Sequence, residues 1–280
     1  MQDNPPGVME SRVSDAAATG KPEKSAIVAR ELLRWEVMPI FELVEEIIFP
    51  PSRQASPSGI LAVGGDLSPE RILEAYRQGI FPWYADQEPI IWWSPDPRFV
   101  LFPSEIKVSR SMKQILRQGR FRITFDQDFP AVIAACQKPR AGQAGTWITE
   151  EMKKAYTTLH DLGYAHSVEA RQNDALVGGL YGVSLGRCFF GESMFSTVSN
   201  ASKAALITLT QRLQSRDFGL IDCQVWSAHL ASLGARGISR EAFTGLLRRL
   251  LSYETLRGNW GLLGEEMSSP EDDSFSESSA

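Results

Sequence analysis

Three polar side chains on otherwise apolar, strand-like stretches offer chemistry. Glu192 lies in Phe189-Phe-Gly-Glu-Ser-Met-Phe-Ser196, and Asp222 and Gln224 lie in Leu220-Ile-Asp-Cys-Gln-Val-Trp226. The second stretch reads as a β-strand over 220–226, because apolar and β-branched residues dominate it. Alternation sends Ile221, Cys223 and Val225 to one face and Asp222 and Gln224 to the other, about 6–7 Å apart. A carboxylate beside a carboxamide, held still by an apolar opposite face, is a floor for a polar reaction. The same pattern also arises when two polar residues face solvent on a half-buried strand. Paired carboxylates would suit a glycosidase or a divalent-cation site. The neighbours of Glu192 and Asp222 are Phe, Met and Leu rather than further oxygen ligands, so neither is favoured. Gly191 ahead of Glu192 points to a bulge or a close backbone approach.

The elements that must position these groups follow from periodicity. Ile60–Val63 reads as a strand. Ser68 with Pro69 opens a helix that Gly79 closes, with Ile72, Leu73 and Tyr76 inward. Three tryptophans (Trp83, Trp92, Trp93) among the prolines of 81–99 exclude one regular element there, and aromatics of this kind serve as core or as stacking platforms. A short basic helix is expected over 111–118 and a strand over 121–125. Thr149 caps a helix to Leu162, with Met152, Ala155, Tyr156 and Leu159 inward. Strands at 164–170, 176–183 and 187–194 form a meander. A helix from Asn200 to Leu213, the strand at 220–226 and an amphipathic helix from Arg240 to Leu251 complete the set. A shorter helical pattern runs from Ser25 to Arg34.

With 280 residues, 43% hydrophobic and 22% charged, the composition is that of an ordinary globular protein. No apolar run reaches the length of a membrane span and the N-terminus lacks the apolar core of a secretory signal, so a cytoplasmic location is expected. The three cysteines and three histidines have no metal-type spacing, and no metal is expected. The net charge of −5 is uneven. From Arg98 to Arg122 there are seven basic residues and one acidic, whereas six acidic residues and no basic one follow Gly264. A basic segment on an acidic protein is a candidate phosphate contact or else a solvated helix face.

The order helix, three-strand meander, helix, strand, helix is that of an N-acetyltransferase-type domain, although periodicity alone establishes only an α+β class. Coenzyme A would call for a glycine-rich loop before the helix at Asn200. That loop reads Ser196-Thr-Val-Ser-Asn-Ala201, without glycine and with β-branched residues crowding the backbone. The basic segment and the tryptophans suggest instead an acyl group carried on RNA.

A set of motifs then gives a resemblance. Gly64-Gly-Asp-Leu67, Gly79-Ile-Phe-Pro-Trp83, Trp92-Trp-Ser-Pro-Asp-Pro-Arg98, Ser109-Arg-Ser-Met-Lys113 and Thr146-Trp-Ile-Thr149 resemble the leucyl/phenylalanyl-tRNA–protein transferase family. So do Gly178-Gly-Leu-Tyr-Gly182, Phe190-Gly-Glu-Ser-Met-Phe-Ser196, Asn200-Ala-Ser-Lys203, Leu220-Ile-Asp-Cys-Gln224 and His229-Leu-Ala-Ser-Leu-Gly-Ala235. The match runs in order over about 39–255.

The resemblance implies transfer of Leu, Phe or Met from aminoacyl-tRNA to the N-terminal Arg or Lys of a protein, which marks that protein for degradation. It implies no cofactor, no membrane partner and a monomer. Gln224 would orient the acceptor amine, with Asp222 polarising Gln224 or helping to take up the proton, and Glu192 would hold an amine or basic side chain. Leu180, Phe189, Met194 and Leu206 would form the aminoacyl side-chain pocket. Trp83 and Trp147 would contact the terminal adenosine, and Arg98, Arg110 and Lys113 would contact tRNA phosphates. The expected fold is α+β: a disordered extension over 1–38, a small N-terminal domain over 39–98, an N-acetyltransferase-like (GNAT-type) domain over 99–258 with a mixed or antiparallel sheet flanked by helices, and an acidic disordered tail over 265–280. The rival readings are a coenzyme-A-dependent N-acetyltransferase, a non-catalytic RNA-binding protein and a tRNA-dependent transferase acting on cell-wall peptides.

Overall fold

The computed structural model describes residues 40–138 and 147–262. The helical pattern at 25–34, the extension and the acidic tail lie outside these residues. Two sheets organise the chain. The first joins β1 (Phe41–Leu43), β2 (Ile60–Gly64), β4 (Ile91–Trp93) and β3 (Phe81–Pro82) in the order β1-β2-β4-β3, with α1 (Pro69–Arg77) between β2 and β3. The tryptophan- and proline-rich segment is therefore two short strands that supply one half of this sheet. Trp92 donates its indole N–H to Gly64 O at 2.9 Å, and Trp93 donates to Trp83 O at 2.5 Å, so each buried indole has its partner.

The second sheet has seven strands in the order β11-β5-β10-β9-β8-β7-β6. They are β5 (Arg98–Leu101), β6 (Arg122–Phe125), β7 (Ala165–Gln172), β8 (Ala175–Leu185), β9 (Cys188–Ser196), β10 (Leu220–Gln224) and β11 (Arg236–Ile238). The expected meander is present as the antiparallel run β7-β8-β9, and β9 pairs with β10 in parallel. The class is α+β with a mixed sheet. Helices cover both faces: α3 (Phe129–Gln137) and α4 (Glu150–Asp161) on one, α5 (Ala201–Gln214) on the other. Basic helix α2 (Arg110–Arg117) packs on α5, short α6 (Ala228–Ser232) follows β10, and α7 (Arg240–Leu250) closes the set. Helix α3 escapes a periodicity search because its stretch Phe-Pro-Ala-Val-Ile-Ala-Ala-Cys-Gln is apolar on nearly every side. Thr149 and Ser109 cap α4 and α2 as serine and threonine do, through Met152 N and Met112 N. Ser68 does not cap α1; its own N–H is taken by Asp66 Oδ1 at 2.7 Å. Among the described residues no helix is long and apolar enough to cross a membrane.

Each face of the large sheet buries its own core. Tyr181, Val183 and Phe190 belong to one together with Tyr156, Phe243 and the apolar residues of the first sheet. Leu180, Phe189 and Ile221 belong to the other with α5. Phe189 and Met194 are five residues apart yet share a face, which strict alternation forbids. The cause is a bulge: Tyr181 opposes Ser193 while Gly182 opposes Gly191, so Glu192 is the extra residue. One inserted residue exchanges the faces of everything after it. Phe190 and Glu192 therefore look toward one core, and Met194 looks toward the other.

Gly182, beside this bulge, is closely packed. A Cβ there would collide with Phe190 O and come within 2.6 Å of the Phe189 ring. Both obstacles are rigid, so Gly182→Ala is expected to destabilise the protein by about 1–3 kcal/mol, as overpacking does. Urea unfolding reads this directly, and an unchanged midpoint would mean that β8 and β9 have slack there.

Candidate active site

The parallel ladder between β9 and β10 stops at Phe190–Asp222, although both strands run on. Each strand bulges at that point. In β10, Asp222 opposes Val100 and Gln224 opposes Phe99, which leaves Cys223 extra, and Gln224 takes φ +64. A non-glycine residue held there costs about 1–3 kcal/mol and needs surroundings that enforce it. Asp222 enforces it, because its Oδ1 accepts the Gln224 backbone N–H at 2.9 Å. The strand ends here, two residues earlier than alternation suggests, and Trp226 is out in solvent.

The kink aims the Gln224 side chain at Glu192. Gln224 Nε2 donates to Glu192 Oε1 at 2.8 Å. Tyr76 donates to the same oxygen at 2.6 Å and Tyr156 donates to Oε2 at 3.1 Å, with the two hydroxyls 2.6 Å apart. All of these groups are buried. Burial above all, and then the charge of Glu192, push the Tyr76 and Tyr156 hydroxyls well above the usual phenol range. Tyr181 is raised in the same way. The tyrosines therefore remain protonated donors. With the Glu192 carboxyl as the acceptor, the amide nitrogen of Gln224 faces it and the carbonyl oxygen turns the other way.

Asp222 accepts three hydrogen bonds. Arg98 reaches it with a two-pronged pair, Nε to Oδ1 at 2.8 Å and Nη2 to Oδ2 at 2.6 Å, and both side chains are buried. Arg98 also donates to Gly79 O at 3.1 Å and lies between the Phe81 and Phe243 rings, 4.6 Å from each centroid. The expectation that Arg98 contacts tRNA phosphate is corrected here. Sequence shows a basic segment beginning at Arg98, but β5 carries this residue to the floor of the site, where a buried carboxylate must have a counter-ion. Arg110 and Lys113, by contrast, are exposed on α2.

The other singled-out residues fall into two groups. Leu180, Phe189 and Leu206 are buried in the second core, and Met194 is half-buried against it, paired in register with Leu180. These four share one cluster, on the opposite face of the sheet from Glu192 and Gln224. The β9–β10 ladder ends between the two sets, at Phe190–Asp222. Trp83 packs edge-on against Trp93, with centroids 5.3 Å apart, and Trp147 is half-buried against the first core. Tyr84, next to Trp83, lies 3.3 Å from the hydroxyl of Thr149, which brings the two tryptophan segments together. Tyr76 and Tyr156 escaped the sequence reading as site residues. They stand on the inward stripes of α1 and α4, and the available signal was that a buried phenol needs a polar partner.

The family models and the curated relatives agree with one another. A family model described as leucyl/phenylalanyl-tRNA protein transferase matches residues 100–248, and one for the N-terminal domain of the same transferase matches residues 65–96. A leucyl/phenylalanyl-tRNA–protein transferase of Syntrophus aciditrophicus is 64% identical over 224 residues, which is 80% of this chain and 94% of that protein. Those of Pseudomonas putida strain W619 and Nitrosospira multiformis are 59% and 56% identical, covering 72% and 78% of this chain and 91% and 95% of theirs. Among solved structures, that of L-PGS from Bacillus licheniformis is similar at 9% identity over 66% of this chain and 70% of that one, with a TM-score of 0.34, too distant a likeness to bear on the argument. With both family models matched in order and relatives of this identity spanning nearly their whole length, the chain belongs to the leucyl/phenylalanyl-tRNA protein transferase family and is an aminoacyltransferase.

Proposed function

We propose that this enzyme transfers Leu, Phe or Met from the 3′ ester of its tRNA to the α-amine of a protein beginning with Arg or Lys, and so marks that protein for degradation. The observation that supports the reading is the Gln224 Nε2 bond to Glu192 Oε1 at 2.8 Å, which in this reading leaves the Gln224 carbonyl oxygen to accept a hydrogen bond from an incoming amine. In the reaction the amine nitrogen attacks the ester carbon, the C–N bond forms and the C–O bond to the ribose breaks. The amine gives up one proton and the ribose oxygen gains one. The donor is already activated and the amine, with a pKa near 8, is about one-tenth neutral at pH 7. Positioning can therefore supply most of the rate.

In this reading Glu192 keeps Gln224 in place and stabilises the positive charge that develops on the attacking nitrogen. Asp222 is a brace for the Gln224 backbone rather than a proton acceptor, because Arg98 and the Gln224 N–H already occupy its oxygens. The aminoacyl side chain would lie among Leu180, Phe189, Met194 and Leu206, whose unbranched or flexible walls suit Leu, Phe and Met. Trp83 and Trp147 would hold the terminal adenosine, and Arg110 and Lys113 the acceptor-stem phosphates. We read the first sheet as a small N-terminal domain over 39–98. We read the second, with its parallel pair parting at the site, as a GNAT-like domain over 99–258. The setting is a cytoplasmic monomer without cofactor.

The test is incubation with leucyl-tRNA labelled in the amino acid and with peptides that begin Arg, Lys or Ala. Label is expected on the first two and not the third. At subsaturating peptide the rate should rise about tenfold from pH 6 to pH 7 as the amine loses its proton. Equal labelling of the Ala peptide would sink the acceptor assignment.

A further inference from the structure

A cleft of about 470 Å³ opens between β6 and the C-terminal turn of α5, lined by Thr124, Phe125, Gln127, Arg212, Ser215 and Arg216. Arg212 is half-buried in it. Its guanidinium lies 4.2 Å from the Phe125 ring centroid and donates to Trp260 O at 2.6 Å, and among the described residues it makes no ion pair within 4 Å. Burial first, and then the neighbouring Arg216, lower its pKa, while Asp126 raises it in part. The nearby carboxylates are engaged elsewhere. Asp126 accepts from Ser167 N and Trp260 N and pairs with His166, while Glu169 accepts from Thr124 and Ser167 hydroxyls. Asp217 is exposed just beyond the turn.

Two guanidiniums that repel each other beside a cleft favour an anion between them. The carbonyl end of α5 opposes this with about half a negative charge, against two full positive ones. That opposition is further reduced, because Arg212 O accepts from the Ser215 hydroxyl and Arg216 O accepts from Arg187. The cleft also continues a basic surface. Exposed Arg110, Lys113 and Arg117 on α2, which packs on α5, lead through Arg120 and through Arg122, itself paired with Asp174 at 2.9 Å, into the strand whose Ile123–Phe125 forms the cleft wall.

We propose that this cleft holds a backbone phosphate of the RNA donor, with Arg212 and Arg216 as its ligands. The inference rests on the reading that the donor is an aminoacyl-tRNA lying along α2, and it extends that contact to an element some ninety residues further along the chain. The footprint on the RNA is then a stripe from α2 across β6 to the end of α5, not a single helix.

The experiment measures the affinity of the full chain for fluorescently labelled leucyl-tRNA between about 50 and 200 mM salt. Ser215→Glu places a carboxylate in the cleft while keeping both arginines, at the loss of the Ser215 hydroxyl bond to Arg212 O, and Arg216→Glu reverses one charge. Each is expected to weaken binding three- to tenfold at the lower salt and to reduce the slope of log Kd against log salt by about one, with Arg216→Lys keeping the wild-type slope. Lys113→Glu is run beside them, and thermal unfolding checks that each variant is folded. If Lys113→Glu loses affinity and slope while folded Ser215→Glu and Arg216→Glu keep both, the cleft assignment is overturned and the RNA reading survives. If the wild-type chain itself shows no salt-dependent binding, both are overturned.

Discussion

Replacing Asp222 with alanine is expected to cost about 3–5 kcal/mol of stability, because it leaves the Arg98 guanidinium buried without its counter-ion. Arg98→Met should cost a similar amount for the mirror-image reason. The two losses are not additive. With both charges gone, Arg98→Met/Asp222→Leu has no buried ion to satisfy, and apolar replacement of a buried pair is often close to neutral. The Phe81 and Phe243 rings that now sandwich the guanidinium would pack on the methionine. Urea unfolding of the four proteins closes this cycle. Transfer should follow a different pattern. Only Asp222 holds the Gln224 N–H and with it the left-handed turn that aims the side chain, so the double variant should regain stability and remain poorly active. A stable double variant with wild-type transfer would show that the brace is not needed, and the role assigned to Asp222 would have to be withdrawn.

The contrast between what the sequence disclosed and what it hid lies in this same group of residues. Helix α4 carries a clear 3.6-residue stripe, α5 is a long helix-forming run buried on most sides, and the meander carries turn residues between apolar runs, so their existence follows from local signals. Asp222 and Gln224 could be placed on one side of a strand because alternation is local too. Nothing local announces that a bulge at Cys223 would intervene, or that Gln224 would adopt positive φ; both depend on where β5 and β9 lie. The glycine before Glu192 hinted at the bulge in β9, but its consequence, a change of face between Phe190 and Met194, requires the register with β8. Arg98 shows the failure most clearly. Counting charge along the chain treats every arginine as exposed, yet this one belongs to a strand and meets a carboxylate 124 positions away. Arg212 and Arg216 lie outside the basic segment and join it only through the packing of α2 and β6 against α5.

Glu192 is the centre where Tyr76, Tyr156 and Gln224 converge, and that geometry makes Glu192→Gln a more informative variant than its small change in shape suggests. The carboxylate offers acceptor sites to three donors. A carboxamide keeps one acceptor oxygen, which can still serve Tyr76 and Gln224, and turns N–H donors toward Tyr156, whose hydroxyl accepts there once its own proton goes to Tyr76, 2.6 Å away. Either the tyrosine hydroxyls reorient in this way, or Gln224 turns over and presents its N–H₂ instead of its oxygen to the site. The first outcome leaves stability near wild type, and the second removes the group that receives the amine. The negative charge that would stabilise the attacking nitrogen is lost in both. Transfer should fall by about two to four powers of ten, the usual range for a positioned acid–base or electrostatic group, while leucyl-tRNA affinity stays near wild type because no phosphate contact is touched. Tyr156→Phe removes one donor and leaves the charge and the Gln224 bond, so its loss should be much smaller. The order of the two distinguishes the charge from the hydrogen-bond network. If Tyr156→Phe costs as much transfer as Glu192→Gln at equal stability, the carboxylate acts only as an anchor for the tyrosines, and the electrostatic part of the mechanism is wrong.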